Sequence, residues 1–296
     1  MYKTACFFAI PLYTFVPMSL FIASLNSGSN GNCYYIGNKN EAILVDVGIS
    51  CRAMEKRMKH LGLDLSLVKA VFISHEHSDH ISGLGSLLKR QRIPLYVSEK
   101  TFQFCGVEDD LTEINHFSNG DTIAVGNMNI SVFSKIHDAI DPYSFCVEEN
   151  GIYVGVITDI GRCGDNVVKW FSKCHAAFLE ANYDEEMLND GPYPFYLKRR
   201  IAGGLGHLSN DQALKLFKEH RPGYMSHLIL SHLSKTNNSP EIVESLFARD
   251  CGDVQIVVAP RTEETNLFEI DGTGNGMSGK ISQDWVQTVL SFNNKA

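Results

Sequence analysis

The stretch ISHEHSDH (73–80) crowds three histidines, a glutamate and an aspartate together, directly after the apolar run VKAVF. Such a run reads as a buried strand, so the polar residues occupy the connection that leaves its end. Imidazoles and carboxylates gathered there without a partner would lose hydration and gain nothing. Neutral imidazole and carboxylate are good ligands for zinc, manganese or iron. His75, His77, Asp79 and His80 are therefore read as the start of a metal site, with Glu76 as a loop carboxylate pointing away. A chain built this way must bring other strand ends to the same edge, because four residues do not complete a two-metal site.

Three further residues stand in that setting. His137 follows MNISVFSK, Asp159 follows IYVGVIT, and His232 lies in LILSHLS. Open sheets present ligand sites at their strand ends, and a carboxylate such as Asp159 can bridge two cations about 3.5–4 Å apart. Asp46 ends the run AILVDVG and is a candidate to accept an imidazole N–H and set its tautomer; a plain turn aspartate is the other reading. Ser27 and Ser29, in the Gly/Ser/Asn turn NSGSNGN (26–32), are candidate anion contacts, or simply hairpin residues. His207 precedes Ser209, which stands three residues before Gln212 at capping-box spacing. A helix N-terminus favours an anion, so Ser209 joins the substrate candidates. Lys198, Arg199 and Arg200 form a compact basic patch, readable as a solvated helix face or as a phosphate contact.

The remaining pattern sets the architecture. Strand-like runs cover 19–25, 33–37, 42–48, 68–74 and several later segments, and SFCVEE-NG-IYVGVIT is a hairpin signal with a primed turn at Asn150-Gly151. Helices are expected over 51–61, 81–91, YPFYLKRRIA, SNDQALKLFKEH and SPEIVESLFARD, the last with Ser239 as N-cap and Pro240 at its first position. Many strands followed by β-α units predict an α/β fold, a four-layer αββα sandwich of two mixed β-sheets. The expected organisation is an extension or mis-assigned start (1–17, with Met18 as the other initiator), one domain (18–270) and a C-terminal tail (271–296). Net charge is −8, so no global basic field marks a nucleic-acid binder, although metal ions can supply positive charge locally. The eight cysteines form no C-x-x-C pair, which points to a reducing cytoplasm. No membrane span is expected.

H-E-H-S-D-H with downstream His137, Asp159 and His232 resembles the metallo-β-lactamase fold hydrolases, over roughly residues 18 to 270. The segments SLNSGSNGNCYYIG, LEANYDEEML, GHLSN and HLSKTNNSPE narrow the resemblance to the WalJ/YycJ type. The resemblance implies that His75, His77 and His137 hold one divalent ion, that Asp79, His80 and His232 hold a second, and that Asp159 bridges them. Zinc, manganese and iron remain open. It implies a metal-activated hydroxide as nucleophile, with Asp79 in the catalytic centre and His207 as a substrate-facing residue able to protonate a leaving oxygen. Oxygen-reducing relatives carry glutamate where this chain has His77, so hydrolysis is expected over redox chemistry. The implied activity is that of a phosphodiesterase, specifically an exonuclease with DNA (or RNA) as substrate. The alternative is a small-molecule hydrolase of the same fold, cleaving a thioester, lactone or cyclic phosphodiester. A non-catalytic metal-binding regulator is the third reading.

Overall fold

The computed structural model describes residues 19–274. The expected extension (1–17), the candidate start at Met18 and the tail beyond residue 274 lie outside the described residues.

The chain first lays down β1 (Leu20–Asn26), β2 (Cys33–Gly37) and β3 (Ala42–Val45) as an antiparallel meander. Parallel strands β4 (Val68–Phe72), β5 (Leu95–Val97) and β6 (Ile114–His116) extend it. The connections carry α1 (Cys51–His60), α2 (Ser78–Ile81), α3 (Leu84–Arg90) and α4 (Glu99–Phe102). A second meander follows with β7 (Thr122–Val125), β8 (Met128–Ser134), β9 (Tyr143–Glu149) and β10 (Ile152–Ile157). Parallel β11 (Ala176–Glu180), β12 (His227–Ser231) and β13 (Gln255–Val258) complete that sheet. Between them run α5 (Asp165–Phe171), α6 (Glu185–Asp190), α7 (Phe195–Ala202), α8 (Asn210–His220) and α9 (Pro240–Phe247). β14 (Phe268–Ile270) returns to pair antiparallel with β1. The result is two seven-stranded mixed sheets, ordered β14-β1-β2-β3-β4-β5-β6 and β13-β12-β11-β10-β9-β8-β7.

Side-chain alternation builds the layers. In β2, Tyr34 and Ile36 enter the core between the sheets, with Phe72, Phe145 and Phe178. Their neighbours Cys33 and Tyr35 face the other way, towards Met54 and Met58 of α1 and Leu84, Leu87 and Leu88 of α3. The outer face of the second sheet is covered by Val167, Phe171, Leu216, Phe217, Val243 and Phe247 from α5, α8 and α9. Period-two strands buried on both faces therefore give the expected αββα order.

Several expected local devices are present. Ser209 and Gln212 form the reciprocal capping box, and Ser239 caps α9 with Pro240 behind it. Asn150 and Gly151 both take positive φ (51° and 81°), as a primed hairpin turn requires. One boundary is corrected. The helix expected over 81–91 begins earlier, at Ser78, and breaks before Leu84. Gly83 packs so tightly that a Cβ there would sit 1.8 Å from the Ile49 carbonyl. Asp79 and His80 thus occupy a helical turn held against the β3–α1 loop, and not an open loop. No helix among the described residues is long and apolar enough to cross a membrane.

Candidate active site

The connections leaving β3, β4, β8, β10, β11 and β12 meet at one edge of the sandwich. Three of the residues that make this turn are non-glycine residues in the left-handed region: Asp46 (φ 61°), Asp159 (φ 55°) and His232 (φ 58°). Such backbone is costly and persists only where its surroundings enforce it. Here buried hydrogen bonds do so. Asp46 N donates to the Phe72 carbonyl at 2.8 Å, and His232 N donates to Ser27 Oγ at 2.7 Å. Lys135 Nζ, wholly enclosed, donates to the carbonyl of Thr158 at 2.8 Å, next to Asp159.

All seven residues singled out for metal binding come together. The ligand atoms of His75, His77 and His137 lie within 4.8 Å of one another, as do those of Asp79, His80 and His232. Asp159 lies between, with Oδ2 3.2 Å from His80 Nε2 and Oδ1 3.5 and 3.9 Å from the Nε2 atoms of His232 and His137. His77 Nδ1 faces His75 Nε2 at 3.1 Å and His137 Nε2 at 3.4 Å. Asp79 Oδ2 is 3.4 Å from His232 Nε2 and 3.6 Å from His80 Nε2.

The outer nitrogen of four of these imidazoles is already committed. His80 Nδ1 donates to Asp46 Oδ2 at 2.7 Å, so Asp46 holds an imidazole as well as a turn. Ser74 Oγ donates to Asp46 at 2.8 Å and so accepts from His75 Nδ1 at 2.9 Å. His137 Nδ1 donates to the Gly206 carbonyl at 2.8 Å, and His232 Nδ1 to Glu180 Oε1 at 3.1 Å. Each bond leaves Nε2 as the inward-facing lone pair, the tautomer a metal ligand needs.

The electrostatics also favour cations. Burial pushes His75 well below its usual range and His137 down to about 4, so both are neutral. Burial opposes charge on His80 too, but Asp159 and Asp46 outweigh it and raise it to about 10. His232 is likewise raised well above its ordinary value, its burial outweighed by Asp159, Asp79 and Glu180. Asp79 resists the upward pull of burial and is held at about 2 by the hydrogen bond from His232 and the charge of His80. Without metal, then, the carboxylates keep protons on the imidazoles where metal charge would sit. Asp159 Oδ2 is buried and accepts no well-directed hydrogen bond. A buried carboxylate oxygen with no well-directed partner, 3.2 Å from an imidazole nitrogen, fits a divalent cation that would take the place of the imidazole proton.

The other sequence candidates divide. His207 lines the cavity with Nδ1 on Glu180 Oε1 at 2.7 Å, and Ser29 lines it too. Ser27 and Ser209 do not line it. Ser27 Oγ is spent on His232 N and Tyr34 Oη, and Ser209 is a fully buried helix cap; the expectation that they contact substrate is corrected to a structural role. Glu76 stays outside the ligand groups and accepts from Ile140 N at 2.9 Å.

Two residues were missed. Glu180 is fully buried, joins His207 to His232 through Oε1 and accepts Ile160 N through Oε2 at 2.7 Å. Burial raises its pKa, yet His207 and His232 bring it down to about 2. Its signal was available, since AAFLE ends in a carboxylate just as AILVD does. Asn32, from the glycine-rich turn, sets Nδ2 3.0 Å from His80 Nε2 and 3.2 Å from Asp79 Oδ2.

The cavity over this cluster has a volume of about 240 Å³ and is open to solvent, with Tyr193, Leu197, Arg200 and Ile201 forming one wall. Comparison with known proteins places the chain in a family. The sequence model of the Beta-lactamase superfamily domain matches residues 41–233, which include all seven converging residues. The chain is 35% identical over 269 residues to exodeoxyribonuclease YycJ of Bacillus anthracis, covering 89% of this chain and 99% of that protein. The chain belongs to the metallo-β-lactamase superfamily, in its YycJ/WalJ group. Exodeoxyribonuclease WalJ of Streptococcus pneumoniae is 33% identical over 242 residues, covering 79% of this chain and 89% of the relative. Among solved structures, the metallo-β-lactamase fold protein YhfI from Bacillus subtilis superposes with a TM-score of 0.64 at 16% identity, covering 85% of this chain and 99% of that one.

Proposed function

We propose that this metallo-β-lactamase superfamily protein is a metal-dependent phosphodiesterase that degrades DNA from an end, in the cytoplasm. The observation that carries the reading is the pair of three-residue ligand groups with the buried carboxylate of Asp159 facing members of both. The names of the YycJ and WalJ relatives support DNA as the substrate.

His75, His77 and His137 would hold one divalent ion and Asp79, His80 and His232 the other, with Asp159 shared; zinc, manganese and iron all suit these donors. Two such ions supply Lewis-acid stabilisation of phosphoryl oxygens and lower the pKa of water. The chain's own groups do the rest. Asp79, which lines the cavity, orients the attacking water through the carboxylate oxygen not facing His232. His207, fixed at Nδ1 by Glu180, turns Nε2 to the cavity and delivers a proton to the leaving oxygen, a general-acid role worth typically 10²–10⁴-fold. Arg200, at the cavity wall, is paired through Nε with Asp138 Oδ2 at 2.5 Å and keeps its terminal N–H groups for a non-bridging phosphate oxygen. Ser29 offers a hydroxyl at the rim.

The test is digestion of end-labelled duplex DNA by manganese-loaded protein, beside His77→Ala. Stepwise loss of label by the wild type alone is expected. Metal-loaded protein that hydrolyses small phosphodiesters or thioesters and leaves every polynucleotide intact would overturn the DNA reading.

A further inference from the structure

Helix α7 has a composition unlike the rest of the molecule. Not one of its eight residues is buried. Phe195 and Tyr196 are each 74% exposed, and Leu205 just beyond is 56% exposed. From Gly191 to Asn210 the chain carries Lys198, Arg199 and Arg200 and no acidic residue, within a protein of net charge −8. Arg199 makes no ion pair among the described residues; its guanidinium lies 5.9 Å over the ring of Phe195. Among the described residues Lys198 Nζ reaches only the carbonyl of Asn189, at 2.5 Å.

The helix has two working faces. Leu197, Arg200 and Ile201, with Tyr193 before them, wall the metal cavity. Phe195, Lys198, Arg199 and Ala202 line a separate groove of about 340 Å³ with Leu188 and Asn189 of α6. A ligand leaving the cavity along α7 therefore meets cations and, in the groove, the ring of Phe195, with the exposed ring of Tyr196 next to it in the chain and on neither lining. Two adjacent exposed rings on a surface helix, with Leu205 exposed just beyond, form an apolar patch of the kind that marks an interaction site. An apolar partner helix suits it poorly, since three consecutive cations occupy its middle. A polyanion with flat, stackable groups matches both features: exposed rings stack bases in a sequence-tolerant way, and cations beside them follow the phosphates.

We propose that α7 is a stacking platform for the single-stranded end of the nucleic acid being cut. The nucleotides next to the scissile phosphate leave the duplex, their bases stack on Phe195 and Tyr196, and their phosphates pair with Arg199 and Lys198. This rests on reading the metal cavity as a site for polynucleotide hydrolysis. It adds that the platform selects unpaired ends, so DNA with a single-stranded overhang is a better substrate than blunt duplex.

The experiment compares manganese-loaded full-length wild type, Phe195→Ala/Tyr196→Ala and the ring-keeping Phe195→Tyr/Tyr196→Phe. Three probes are used: overhang DNA, blunt duplex DNA and bis(p-nitrophenyl) phosphate. Both rings are exposed and outside the cavity, so turnover of the small diester should stay within twofold in all three proteins. The alanine pair should raise KM for overhang DNA on the order of tenfold per ring lost, with kcat little changed and the overhang preference gone. The ring-keeping pair should behave as wild type. Unchanged KM for DNA in the alanine pair would overturn the platform, as would a change in KM that the ring-keeping pair shares. If sedimentation shows the alanine pair converting a dimer to a monomer at unchanged KM, the surface is a contact between copies and the platform is again refuted. Wild type that turns over the small diester and no DNA would instead refute the polynucleotide reading beneath it.

Discussion

Glu180 joins two imidazoles with different tasks, and replacing it with glutamine separates those tasks. Its Oε2 accepts Ile160 N at 2.7 Å and Leu208 N at 3.3 Å, while Oε1 accepts from His207 Nδ1 and His232 Nδ1. In Glu180→Gln the carbonyl oxygen must stay on the two backbone donors, because an NH₂ group there would face N–H against N–H. The NH₂ then faces both imidazoles. Each must present a lone pair at Nδ1 and carry its proton on Nε2. His232 would aim an N–H at Asp79 and Asp159, where its lone pair is needed. Loss of such a partner typically lowers metal affinity 10–100-fold, or about 1.4–2.7 kcal/mol. The loss should fall on one ion, because His75, His77 and His137 take their orientation from Ser74, a helix turn and the Gly206 carbonyl. Chelator competition followed by metal counting should show one weakened and one unchanged site, with kcat/KM down about 100-fold or more as His207 also loses the carboxylate that supports its proton delivery. Equal weakening of both ions, or no weakening, would refute the tautomer argument.

Other consequences can be checked as directly. Gly48→Ala places a methyl 1.7 Å from the Asp79 carbonyl; the overpacking should cost about 1–3 kcal/mol and lower Tm by roughly 3–10 °C in thermal unfolding, and an unchanged Tm would contradict the close approach. Ser27→Ala strands the buried His232 N–H, at about 1–3 kcal/mol, and should weaken the ion held by His232 in the same chelator assay. Metal loading near neutral pH should release about two protons, one each from His80 and His232, read by calorimetry in buffers of different ionisation enthalpy; no release would mean that these imidazoles are neutral beforehand. In the metal-free protein the folded pKa of His80 exceeds its unfolded value, so its stabilisation is complete below about 6.5 and disappears as pH rises through about 10. Thermal unfolding of metal-free protein across that window should show the decline.

The seven converging residues were legible because four crowd into one connection at a strand end and the other three stand at or near the ends of apolar runs. The layers were legible because β1, β2 and β3 alternate strictly between two buried faces. What escaped reading depends on contacts remote in sequence. β14 is three residues long and exists through pairing with β1, some 250 positions away. The short helices α4, α5 and α6 are too brief for a period to register. Ser27 looked like an anion contact because serine beside glycine suits a nest. Only the fold shows that its hydroxyl is taken by His232, 205 residues on. Glu180 was passed over because a carboxylate at a strand end reads equally as a cap, and nothing local reveals two histidines above it.

The left-handed residues give the site its economy. Asp46, Asp159 and His232 follow strands β3, β10 and β12, and a chain leaving a strand in extended form would carry its next side chain past the edge. In the left-handed conformation these residues turn their side chains back onto the shared edge, Asp46 to His80, and Asp159 and His232 to the ligand cluster. Each such residue costs roughly 1–2 kcal/mol, so three place several kcal/mol of local strain on one edge. The compensation is built from the same groups. Asp46 anchors Ser74 and His80, Ser27 anchors His232, and Glu180 anchors Ile160 beside Asp159. Strain and preorganisation are therefore one network, in which a strand-end residue is both the bend in the chain and the group the bend presents. Glycine at these three positions would relieve the strain and delete the donor; alanine would keep the strain and delete the donor as well. That asymmetry explains why the sequence carries aspartate and histidine at turns where glycine is the ordinary choice.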